Sequence, residues 1–126
     1  MSISTQPTVF HVVPPETRVE TDGASPAYEL GALAGKPVMV VLRITKIIEQ
    51  ESLQVSIWGS ADGKDWGQQA FFWLPQKFYP GATPAALDLR QTPAVKFLQA
   101  RWEVNRWGRG DPRPLFEFGL EIQELG

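Results

Sequence analysis

Leu53-Gln54-Val55-Ser56-Ile57-Trp58 alternates strictly along the chain, sending Leu53, Val55 and Ile57 to one side and Gln54, Ser56 and Trp58 to the other. A period of two is the repeat of a β-strand with one face buried, and a helix would mix the two sets around its circumference. The same reading holds further on, where Leu98, Ala100, Trp102 and Val104 alternate with Gln99, Arg101, Glu103 and Asn105. It holds again where Phe116, Phe118, Leu120 and Ile122 alternate with Glu117, Gly119, Glu121 and Gln123. Upstream, Val38 to Ile47 is apolar on both faces at first and mixed later, the pattern of a central strand. Shorter strand candidates are Thr8 to Val13, Arg18 to Thr21, Ala27 to Leu30, Gln69 to Leu74 and Ala86 to Leu89, for about eight or nine strands in all. Pro and Gly punctuate the chain between them, at Pro14-Pro15, Asp22-Gly23, Asp62-Gly63, Pro80-Gly81, Pro84 and Pro93. The best helical window, Pro84 to Leu89, is short. The expected fold is therefore all-β: two antiparallel sheets packed face to face as a sandwich or jelly roll.

The 126 residues are enough for one core without metal or disulfide staples, and no linker or repeat divides them, so residues 1–126 read as a single domain. The absence of cysteine excludes disulfide frameworks, thiolate metal sites and cysteine nucleophiles. A net charge of -2 gives no global attraction to nucleic acid or an anionic membrane, and neither is an expected partner. Met1 to Val13 carries no basic, apolar leader pattern and no later stretch is apolar enough for a membrane-spanning helix, so the expectation is a protein without a membrane span, placed in the cytoplasm.

Leu53 to Trp66 reads Leu-Gln-Val-Ser-Ile-Trp-Gly-Ser-Ala-Asp-Gly-Lys-Asp-Trp, and this strand running into Gly-Ser-x-Asp-Gly-x-x-Trp resembles the signature of discoidin-type domains, the C-type modules of coagulation factors and their bacterial relatives. Phe97 to Val104, with Ala100-Arg101-Trp102 inside it, and Gly119 to Leu125 are similar to the later strands of those domains, in the same order. The resemblance covers roughly a third of the chain and implies a galactose-binding-like jelly roll. The family's cysteine pair and its apolar ligand spikes have no counterpart here, so it transfers no ligand residues. In the turn itself, Asp62-Gly63 supplies a left-handed position and Trp66 is expected to fold back as a plug.

Five tryptophans are many for this length, and aromatic faces suit sugar rings and apolar partners alike. Alternation sends Trp102 inward. Trp58 instead shares its face with Gln54 and Ser56, and becomes a ligand platform if Arg43 of one strand and Arg101 and Glu103 of another lie beside it. Trp73 and Trp107 are candidate loop aromatics. Trp107 lies in the Asn105 to Pro114 segment, whose Arg106, Arg109 and Arg113 could instead pair with the acids of the sandwich or touch phosphate. Arg109-Gly110-Asp111 spells an adhesion tripeptide, which three residues alone do not establish.

No catalytic or cofactor motif emerges. His11 has no second ligand, and Asp62 and Asp65 lack the ladder of a calcium loop. The surviving enzymatic route is a two-carboxylate glycosidase drawn from Glu103, Glu117 and Glu121, which requires a fixed separation. The expected function is a non-catalytic binding module for glycans or glycoconjugates, using Trp58, Arg43, Arg101, Glu103, Trp73 and Trp107 and needing no cofactor. The alternative is a structural or assembly protein whose sandwich self-associates or packs into a larger particle.

Overall fold

The computed structural model describes residues 9–19, 22–47, 51–68, 70–77, 79–106 and 116–125. Nine strands follow in chain order among these residues: β1 Val9–Val19, β2 Gly23–Ala24, β3 Tyr28–Glu29, β4 Pro37–Ile47, β5 Glu51–Ser60, β6 Phe72–Trp73, β7 Gly81–Asp88, β8 Phe97–Arg106 and β9 Phe116–Glu124. The only helical pieces among them are two 3-10 turns, Gly31–Leu33 and Leu89–Gln91, and no helix among the described residues is long and apolar enough to cross a membrane. The window Pro84 to Leu89 is thus the end of a strand and the start of a 3-10 turn, which Asp88 caps by accepting the Arg90 backbone N–H.

One sheet has the order β1-β9-β4-β7, the other β2-β8-β5-β6 with β3 also on β8, and every pairing is antiparallel. Each strand buries the set that its alternation selects. Val38, Val40, Leu42 and Ile44 of β4 and Phe116, Phe118, Leu120 and Ile122 of β9 meet Leu53, Val55 and Ile57 of β5 and Leu98 and Ala100 of β8 in one continuous core. Trp102 points inward as its register demands, its ring edge-on to Phe118 of the facing sheet at 5.4 Å between centroids. Val41 of β4 is also buried, which is what a strand flanked on both sides by β9 and β7 requires.

Two expected breaks are absent. The chain passes through Pro14-Pro15 as one strand, with register shifts between His11 and Val13 and between Val13 and Thr17. Pro84 sits inside β7. Both strands lie at sheet edges, where a residue with no backbone N–H costs the ladder least.

Candidate functional site

Cross-strand partners share a face. Ser56 is opposite Arg101, Trp58 opposite Gln99, and Gln54 opposite Glu103. Since Leu53, Val55 and Ile57 fill the core, all six of these side chains belong to the outer face of the second sheet. On the other flank of β5, Trp73 is opposite Ser56, and beyond β8, Ala24 is opposite Arg101. A row Ala24-Arg101-Ser56-Trp73 therefore crosses the sheet, with Trp73 two strand spacings, about 10 Å, from Arg101.

Arg101 is held from two sides, and each support is itself anchored. Its guanidinium carbon lies 3.9 Å from the centroid of the Trp58 ring, a cation–π contact. Its Nε donates to Gln99 Oε1 at 2.9 Å, and Gln99 Nε2 in turn donates to the Ser25 carbonyl at 2.9 Å. The Trp58 ring is itself oriented by its Nε1–H, which donates to Ser56 Oγ at 2.9 Å. The Nη groups of Arg101 have no hydrogen bond among the described residues, so four of the five guanidinium donors remain for a ligand.

This arrangement changes the part expected of Trp58. It is half-buried and carries the Arg101 guanidinium over one face of its ring, so it supports Arg101. The open aromatic of this face is Trp73, 50% exposed. Glu103 is exposed two residues beyond Arg101 on the same face. Among the described outward positions Arg101 is the one cation, with Glu103 and Glu29 as the anions.

Arg43 does not join this group. Strand β4 lies in the other sheet, where Arg43 faces outward on the far side of the sandwich and pairs with Glu121. The same topology separates the three glutamates. Glu103 is on one outer face and Glu117 and Glu121 on the other; the latter two are four residues apart along β9, about 13 Å, beyond the 5 to 9.5 Å or so that a glycosidase pair spans. Arg18 lies 3.6 Å from Glu117. His11 is exposed on the β1 edge opposite Glu121. Trp107 and the Arg109-Gly110-Asp111 tripeptide lie outside the described residues.

In the 60–65 turn, Asp62 Oδ1 accepts the backbone N–H groups of Lys64 and Asp65 at 2.8 and 2.9 Å and the Ser60 hydroxyl at 2.9 Å. The carboxylate is thus turned onto its own backbone. Gly63 adopts φ 76°, and a Cβ there would sit 3.3 Å from the Phe97 ring. Phe97 therefore packs on the turn, and Trp66, the expected plug, is half-buried.

No protein-family model matches the chain, and no curated protein matches it in sequence.

Proposed function

We propose that the protein is a non-catalytic binding module whose ligand is a glycan or glycoconjugate, taken on the outer face of the β2-β8-β5-β6 sheet. The observation that carries this reading is the row in which a half-exposed tryptophan, Trp73, stands in register with a pre-positioned guanidinium, Arg101. A pyranose presents a C–H face and a rim of hydroxyls. Trp73 would take the face, Arg101 would donate to hydroxyl oxygens, Glu103 would accept from hydroxyl groups, and Gln54 can do both. Fixing Arg101 beforehand lowers the ordering cost that weak sugar binding can rarely bear. The mixed charge of the face, one guanidinium flanked by carboxylates, suits a neutral sugar better than an acidic one.

The strand order supports a jelly roll. Counting β2 and β3 as two halves of one strand leaves eight, and the observed pairs β1–β9, β2/β3–β8, β4–β7 and β5–β6 match first with last inward to the middle, as when one long antiparallel ribbon is rolled up. That architecture, together with the Ser60-Ala61-Asp62-Gly63 turn, also supports the discoidin-like reading.

The test is titration of intrinsic tryptophan fluorescence against neutral sugars, after a glycan array has ranked them. Binding in the millimolar range or tighter is expected, and Trp73→Ala should weaken it at least tenfold, about 1.4 kcal/mol. Because Trp73 is half-exposed, the variant should keep its fold. A wild-type protein that answers to no glycan overturns the proposal.

A further inference from the structure

We infer that the ligand is an oligosaccharide, and that a second sugar unit sits in a depression at the start of β7, lined by Gln76, Lys77, Tyr79 and Thr83. The inference rests on the glycan reading above and names a second subsite for it. Between Trp73 and this depression the chain runs beside β5. The Leu74 N–H donates to the Val55 carbonyl at 2.9 Å, and Lys77 and Leu53 exchange backbone bonds of 2.8 and 2.9 Å. Gln76 reaches across to Ser52, donating from Nε2 to Oγ at 2.7 Å, so its carboxamide is fixed and its Oε1 is left to accept. Trp73 stands beside Ser56 and Gln76 reaches Ser52 by its side chain, and the three residues from Trp73 to Gln76 span about 10 Å. That span exceeds a single pyranose and suits a chain of several.

The depression has a volume of about 260 Å³, just under the lower end of ordinary small-molecule pockets, roughly 300 Å³, which is room for one sugar unit. Its inventory repeats that of the first subsite in different residues. Tyr79 is an aromatic that is 80% exposed. Lys77 is a donor, Gln76 an oriented amide, and the Thr83 hydroxyl both donates and accepts. At Gly81, φ is 143° and a Cβ would meet nothing within 4 Å, so the backbone leaves this side open.

Lys77 and Thr83 are register partners of the core residues Leu53 and Leu42, so the depression lies at the border between the two sheets, round the sheet edge from Trp73. Two subsites joined along that edge make affinity grow with ligand length, because the second contact forms within an already bound molecule. The experiment is calorimetric titration of the wild type, Tyr79→Ala and Trp73→Ala with glucose-, galactose-, mannose- and N-acetylglucosamine-based series running from monosaccharide to tetrasaccharide. Wild-type affinity should rise about tenfold with length in the series that binds. Tyr79→Ala should remove that rise and leave monosaccharide affinity intact, whereas Trp73→Ala should weaken every length. Circular dichroism checks that both variants remain folded. Length-independent affinity in the wild type overturns the second subsite while leaving the first. So does a Tyr79→Ala variant that weakens monosaccharide and oligosaccharide equally. If the wild type binds no member of any series, both readings fall.

Discussion

Asp62 carries a carboxylate that its own turn satisfies. The backbone N–H of Asp65, then that of Lys64, then the Ser60 hydroxyl hydrogen-bond the charged form, and together they hold the carboxyl at about 2, below its ordinary 3.8. Ser60 itself is buried, and its Oγ accepts the Asp62 and Gly63 N–H groups at 3.2 and 2.9 Å, so one hydroxyl and one carboxylate close the turn around Gly63. A carboxyl lowered in the folded state stabilises the fold fully above its unfolded value. That contribution fades as pH falls from 3.8 toward 2. Replacing Asp62 with Asn should therefore lower stability at neutral pH and flatten the acid side of the stability profile. The check is the urea midpoint of both proteins between about pH 5 and about pH 2. Parallel profiles across that window would mean that the turn gains nothing from the charge. The Asp62-Gly63 pair was legible as a turn from residue type alone, because few residues accept positive φ. That Phe97 also packs against Gly63 was not, since that contact comes from a strand more than thirty residues away.

At the scale of elements, the β1–β9 pair shows how a strand survives two prolines. Residues 14–16 bulge out of the ladder, with Glu16 at φ 60° and the Thr17 hydroxyl donating back to the Pro14 carbonyl at 2.6 Å. The bulge lies over Gly119 of β9, where a Cβ would stand 2.8 Å from Pro15 Cα and 3.2 Å from the Pro14 carbonyl oxygen. Both are backbone atoms that cannot swing aside. Gly119→Ala should therefore cost about 1–3 kcal/mol, the range for overpacking a filled site. In urea it should lower the midpoint and leave the slope unchanged. An alanine variant as stable as the parent would show that the bulge yields. The alternation around Gly119 places it correctly on the outward face of β9, but nothing local says that this face is covered there. Pro14-Pro15 and Pro84 read as breaks because the cost of a missing N–H depends on whether a strand is central or at an edge, which is a property of the sheet. With Pro84 in one edge and this bulge in the other, both borders of the β1-β9-β4-β7 sheet are poor templates for a further strand. That disfavours the assembly reading wherever it depends on edge-to-edge pairing.

Across the whole molecule, periodicity determines which residues of a strand share a face, and long-range pairing determines which strands share a sheet. The first was readable in Gln54, Ser56 and Trp58 and in Gln99, Arg101 and Glu103, whose two faces turn out to be one. The second is not, which is why Arg43 reads from sequence as a neighbour of these residues although β4 belongs to the opposite sheet. Trp73, the aromatic open to solvent, is legible as a candidate from its residue type, but the guanidinium over Trp58 depends on a contact between β5 and β8. The same long-range pairing has a kinetic consequence. Residues 9 and 123 are register partners, and the ribbon closes every strand pair except β5–β6 across long intervening segments. The chain must pay loop-closure entropy before those contacts return it, so folding should be slow for a protein of this size, in milliseconds to seconds as for other β-sandwiches. Eleven prolines add a further phase of about 10–100 s from isomers scrambled during prolonged unfolding. Interrupted unfolding separates the two. Chains returned to native conditions within about a second of unfolding keep their native proline isomers, and tryptophan fluorescence should then show only the millisecond-to-second phase. A dominant microsecond phase would mean that local contacts suffice, contrary to a ribbon closed from its ends, whereas an undiminished slow phase would assign the barrier to something other than proline isomerisation.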